Sequence, residues 1–178
     1  QVKEALINLE RQSYLQRNGE VYEFLTDKEK DVELEIKRVE IGETMILQQL
    51  HGVIFDDILR STGKTRFEDN NNDYLIAHKI DDVLIKGKED SIAINLVTPD
   101  HPYYETEATL ITGNMGIEMM AILPDESRLL DQIRSFLKTD LYIKQNSGCD
   151  DEILESILTS RSRQNSALRQ EIKRVAEE

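Results

Sequence analysis

The chain has 178 residues, 39% of them apolar with no Trp, and a formal charge of −13 from 22 Lys and Arg against 35 Asp and Glu. That length and apolar fraction suit one compact domain of ordinary size plus an appendage, with an aliphatic core. The single cysteine, Cys149, excludes a disulfide framework or a cysteine-based zinc site, and no apolar run approaches the roughly 20 residues that span a bilayer.

A reducing, cytoplasmic compartment and no membrane partner follow as expectations. The charge is uneven: residues 1–42 carry seven Lys and Arg against ten Asp and Glu, residues 43–151 ten against twenty, and residues 152–178 five against five. The acidic middle repels a phosphate backbone, which excludes broad electrostatic nucleic-acid binding there.

Along the chain, Val2, Ala5, Leu6 and Leu9 fall at helical spacing. Ser13 to Arg17 and Glu20 to Leu25 flank Asn18-Gly19, whose tolerance of positive φ predicts a type I′ hairpin with Leu15 across from Tyr22. Thr26-Asp27-Lys28-Glu29 reads as a capping box that starts a helix running to about Glu40, with Val32, Ile36 and Val39 on one stripe. Helix, two-stranded ribbon, helix is the order at the end of a winged helix. The chain opens at Gln1 with no initiator Met and without the helices that should precede this one, so we read it as a fragment of a longer protein. On the winged-helix reading, residues 1–12 are the recognition helix, and Lys3, Arg11 and, on the wing tip, Arg17 are its phosphate partners. Glu4, Glu10 and Glu20 thin that footprint, and the competing reading packs this winged helix on other protein.

Beyond Ile41-Gly42, a connecting helix is expected from Glu43 to about Arg60, with Ile46, Leu47, Leu50, Val53, Ile54, Ile58 and Leu59 on a broad apolar face that docks on the next domain. Asp56-Asp57 are a paired-carboxylate candidate for metal or acid/base chemistry. Neighbours on a helix point roughly 100° apart, so solvated surface is the expectation. Ser61-Thr62-Gly63-Lys64-Thr65 looks like the end of a phosphate loop, G-x-x-x-x-G-K-[ST], but Ile58 stands where the first glycine belongs. The order is also helix then strand instead of strand then helix, so Gly63 is expected as a helix C-cap.

A two-residue period then marks six strands, Thr65 to Glu68, Tyr74 to Lys79, Val83 to Lys86, Ser91 to Val97, Ala108 to Thr112 and Ile117 to Leu123. Asp69 to Asp73, Lys86 to Lys88 and Thr112 to Gly116 are the turns between them. In the loop Asp100 to Glu105, His101 with Asp100 and Glu105 is a metal candidate. The chain has three histidines at no recognised ligand spacing, so an exposed loop histidine is the expectation. Asp125 is expected as the N-cap of a helix from Ser127 to about Leu137, with a break at Lys138-Thr139-Asp140 and a stop at Gln145 to Gly148. Asp151 to Glu178 reads as one long helix with apolar ends and a polar middle, Thr159 to Asn165, containing Arg161 and Arg163. Such a helix bridges or protrudes, either as a partner-docking arm or as a surface once packed on further sequence. No G-x-S-x-G elbow, Cys near His, or H-E-x-x-H helix is present.

The runs YLQRNGEVYEFLTDKEKDVELEIK, KIDD (Lys79 to Asp82), INLVTP (Ile94 to Pro99), ILPD (Ile122 to Asp125) and FLKTDLYIKQN (Phe136 to Asn146) resemble the large P-loop ATPase of bacterial BREX phage-defence systems, the BrxC or PglY family. The resemblance spans about Tyr14 to Arg174. It implies a segment outside the Walker-motif core, so no catalytic, cofactor-binding or metal residue is assigned; ATP and magnesium belong to the full-length protein. Implied partners are other BREX defence proteins, with DNA reached through the winged helix. The expected fold is α+β: a partial winged helix (1–42), a connecting helix (43–64), a mainly antiparallel sheet covered by helices (65–148) and a long C-terminal helical arm (149–178). Exposed apolar surface on such a fragment favours an oligomer.

Overall fold

The computed structural model of the protein describes residues 2–18, 21–114, 118–125 and 128–177. The chain forms two compact units, residues 1–41 with 134–170 and residues 42–133 with 171–178.

The first unit opens with α1 (Val2–Arg11), the strands β1 (Leu15–Asn18) and β2 (Val21–Phe24), and α2 (Asp27–Arg38). In the antiparallel hairpin Leu15 faces Phe24 and Arg17 faces Tyr22, which corrects the expected Leu15–Tyr22 pairing. The ladder continues with the Leu25 N–H donating to the Tyr14 carbonyl at 3.1 Å, a register that lets both Leu15 and Leu25 be buried. Asn18 is part of the ladder; Gly19, the other half of the expected turn, lies outside the described residues.

The capping box forms as the sequence requires. The Thr26 N–H donates to the Glu29 carboxylate at 2.8 Å and the Glu29 N–H donates to the Thr26 hydroxyl at 3.3 Å. The bond from Thr26 is also the main reason the Glu29 carboxyl titrates below its ordinary range. Two further helices, α5 (Leu129–Asn146) and α6 (Glu152–Glu177), supply the rest of this unit's core, where Val32 and Ile36 meet Tyr142, Ile157 and Leu158.

Three expectations about these helices are corrected. Lys138-Thr139-Asp140 does not break α5, which runs through it with Asp140 paired to Lys144 one turn on at 2.7 Å. The polar middle of α6 does not protrude. Arg161 and Asn165 are buried, the first 3.2 Å from Glu33 and the second donating its amide to the Phe136 carbonyl at 3.2 Å. Asp125 is not the N-cap of α5, which begins at Leu129; Ser127 lies outside the described residues.

The second unit begins with α3 (Glu43–His51), which runs on into π-helical turns over Gly52–Ile58. It ends there, and Arg60 takes the left-handed conformation after it (φ 49°), while Gly63 opens the next strand and is not the C-cap. The five strands are β3 (Lys64–Phe67), β4 (Asn72–Ile80), β5 (Val83–Lys86), β6 (Ile92–Val97) and β7 (Glu118–Ile122). Their order is β3-β4-β6-β7, with β5 sharing the β4 edge with β3. β3 and β5 pair antiparallel with β4, whereas β6 pairs parallel with β4 and β7 parallel with β6. The sheet is therefore mixed, not mainly antiparallel: β5 returns the chain antiparallel along β4 so that β6 enters parallel to it, and residues 98–117 are long enough for the crossover from β6 to β7.

Residues 108–112, expected as a strand, lie in a short helix, α4 (Glu107–Asn114), inside the second crossover. Leu110 is buried there while Ala108, Thr109 and Thr112 are exposed, a one-sided pattern that a helical turn accommodates. Ile117, the expected first residue of the last strand, lies outside the described residues. Gly87 (φ 102°) passes so close to β4 that a Cβ there would stand 2.8 Å from the Ala77 Cα. No helix among the described residues is long and apolar enough to cross a membrane.

Candidate functional site

Carboxyl ends of parallel strands are where open α/β sheets gather polar groups, and here the ends of β4 and β6 meet in a polar cluster. Asp81 and Asp82 form a two-residue loop between β4 and β5, closed by the Ile80–Val83 pair. Both have positive φ, 48° and 67°, as a type I′ turn demands, and Asp tolerates that conformation through local hydrogen bonding. The Asp81 carboxylate accepts the Thr98 N–H and hydroxyl, each at 2.7 Å, and its own N–H donates to the Leu96 carbonyl at 2.9 Å. Asp82 accepts the Asn95 amide at 2.7 Å and lies 3.0 Å from His101 Nε2. His101 Nδ1 accepts the Tyr103 N–H at 3.1 Å, so the ring proton sits on Nε2 and is donated to Asp82.

Asn95, Thr98 and His101 are all buried. Burial raises the Asp81 carboxyl above its ordinary range against the pull of Thr98, whereas the hydrogen bond from His101 holds Asp82 below its own. Adjacent carboxyls pushed in opposite directions are what acid/base pairs look like. Here all four carboxylate oxygens already have protein partners, so the arrangement works as a clip fastening the β4–β5 turn onto the end of β6.

A second polar chain links α3 and its π-helical continuation to the sheet. His51 Nε2 is 2.9 Å from His78 Nδ1, and His78 Nε2 is 2.7 Å from the Ser61 hydroxyl. At the outer end His51 Nδ1 is 3.4 Å from Asp56, which lies 3.7 Å from Lys86. Phe55 stacks on both imidazoles. Burial lowers the pKa of each ring, and in His78 the neighbouring His51 adds to it.

The residues expected from sequence are placed as follows. His101 is 6% exposed and bonded to Asp82, so it is not the exposed loop histidine expected, and its carboxylate partner is neither Asp100 nor Glu105. Among the described residues, no group of three or more His, Cys, Asp or Glu is arranged to hold a metal ion. Asp56 and Asp57 diverge as adjacent helix residues must, Asp56 toward His51 and Lys86 and Asp57 toward Lys173 at 2.8 Å. Ser61 to Thr65 lead from a helix into β3, which does not fit a nucleotide cradle, where a strand must feed a helix N-terminus.

Lys3 and Arg11 are exposed on α1, and Arg17 is exposed on β1. Lys3 and Arg11 are eight positions apart, about 12 Å along the axis at the usual helical rise. Large apolar side chains are exposed on the same helix and ribbon, Val2 74% and Phe24 83%, with Ile7, Tyr14 and Val21 exposed too. A cavity of about 450 Å³ lined by Ile7, Glu10, Arg11, Leu15, Glu33 and Lys37 opens in this unit.

Sequence reasoning missed the Asp81–Asp82 clip and the paired imidazoles, since both join residues far apart in the chain. The family model described as "BREX ATP-binding protein BrxC 4th domain with six-stranded beta sheet" matches residues 39–178. No solved structure matches the chain.

Proposed function

The chain belongs to the BREX BrxC family, as a segment outside the ATPase core, and we propose that its task in this defence system is assembly with other BREX proteins. The observation that carries this reading is the number of large apolar side chains left exposed on α1 and the hairpin, Val2, Ile7, Val21 and Phe24. Exposed aromatic side chains are the anchors that dominate the energetics of protein docking, and Phe24 is the most exposed of the four. The net charge of −13 supports protein as the partner in preference to a phosphate backbone. ATP and magnesium, on this reading, serve the rest of the full-length protein.

The test is co-purification of BREX proteins with the full-length protein, wild type beside Phe24→Asp, with nuclease treatment in parallel. Loss of the partners in the variant, whether or not nuclease is added, is the expected result. Undiminished recovery removes Phe24 from assembly, and a change only in the protein's own oligomeric state assigns it to self-association.

A second reading, a winged helix on DNA, is favoured by the α1–hairpin–α2 order, with Lys3, Arg11 and Arg17 on the helix and ribbon. It requires Arg17→Glu to weaken a low-salt gel shift and to reduce its salt dependence. Unchanged binding ends that role.

A further inference from the structure

β7 is the last strand in the order β3-β4-β6-β7, and among the described residues no strand pairs with its outer edge. Met119 and Ile122 on this strand are 64% and 46% exposed. An open edge with exposed apolar side chains is a template for one more strand. The matching family is described with a six-stranded sheet, whereas the described sheet here has five.

The segment just ahead of β7 is poorly suited to the helix it forms. α4 has eight residues, and helices that short are marginal by themselves. Thr109, Ile111 and Thr112 are β-branched, which favours extended structure. The Thr112 hydroxyl donates to the Ala108 carbonyl at 2.5 Å, a back-bond that weakens helices. Of the side chains described in it, Leu110 is buried, and Ala108, Thr109 and Thr112 are exposed.

The chain already approaches the correct end of β7. The Tyr104 hydroxyl donates to the Leu123 carbonyl at 2.8 Å, which pins the crossover beside the residue that follows β7. From Tyr104 to Ala108 an extended chain reaches up to about 14 Å, and a neighbouring strand lies only about 4.8 Å away. Descending from that end, the segment runs antiparallel to β7.

We propose that residues 108–112 form a sixth strand, antiparallel to β7 along its open edge, and that α4 is the alternative conformation of the same segment. In the strand state Leu110 lies opposite Met119 and Ala108 opposite Ala121. Leu110 exchanges its seat in the helical form for cover over Met119, and β7 loses its open edge. The exchange of one apolar contact for another keeps the two states close enough in free energy to be populated in turn.

The test is a cysteine pair in the full chain with Cys149→Ser. Leu110→Cys with Met119→Cys sits in cross-strand register, while Leu110→Cys with Met120→Cys places the second thiol on the opposite face. Disulfide geometry tolerates only the first, so in mild oxidant it is expected to close at least about tenfold faster, read by intact mass. Hydrogen exchange on the wild-type chain is the second measurement, with protection expected on both edges of β7. Equal closure of the two pairs, or free exchange of the outward-facing β7 amides, overturns the proposal.

Discussion

Asp82 shows how much one carboxylate organises here. Replacing it in Asp82→Ala strands the buried His101 Nε2–H and the Asn95 amide, each of which donates to it. The expected loss is about 1–3 kcal/mol in urea denaturation, with partial recovery in Asp82→Asn, whose amide oxygen still accepts. The paired imidazoles predict a pH dependence with a definite sign. Burial lowers the pKa of His51 and His78 below the unfolded value, while Asp56, Lys86 and Ser61 are the groups that face them. The unfolded chain therefore binds more protons, and the contribution is complete above about pH 6.5 and lost as the pH falls below it. Asp82, with its lowered pKa, acts in a separate and more acidic window, losing its contribution below about pH 3.9. A urea midpoint that drops between about pH 7.5 and pH 5.5, and drops less in His51→Gln, is the expected outcome. An equal drop in the variant would trace the effect to other groups. At this scale the sequence carried more than spacing revealed. KIDD and INLVTP stood out as family-like runs, and they contain Asp81, Asp82, Asn95 and Thr98, the four residues that bond to one another. What no local pattern contained was the partner of each.

Among the elements, those with local causes were legible. The capping box of α2, the ribbon after α1 and the alternating strands β4 and β6 all follow from neighbours within a few residues. The elements misjudged were those whose environment is supplied from afar. The α6 middle looked solvent-bound because Arg161 is charged, yet it is 7% exposed with Glu33 of α2 beside it. Removing that partner in Glu33→Ala leaves a buried guanidinium without its counter-charge, and the expected cost is about 3–5 kcal/mol. The double variant Glu33→Ala with Arg161→Met should regain much of it, since it replaces a charge contact by apolar packing. If the single variant matched wild type in denaturant, the pair would have no part in holding α2 to α6. The hairpin register failed for a related reason: Asn18-Gly19 is a good local turn, but burial of Leu15 together with Leu25 decides which residues pair.

For the molecule as a whole, sequence supplied the class, α+β with a sheet and a long final helix, and the family, but not the parallel pairs of the sheet. Parallel pairing depends on where a crossover lands, and short-range alternation is silent on that. Nor did linear order foretell that residues 134–170 share a unit with residues 1–41. That interleaving bears on how the protein can be cut. A recombinant piece trimmed to the family-matched span, 39–178, would discard Val32 and Ile36 while keeping Tyr142, Ile157 and Leu158, their core neighbours. Such a piece is expected to expose those side chains and to elute as aggregate in size-exclusion chromatography, to a greater extent than the 178-residue chain, in which they are buried. Loss of activity in that trimmed form would then report an unprotected core and say nothing about the residues removed, so truncation mapping in this protein must keep the two stretches together.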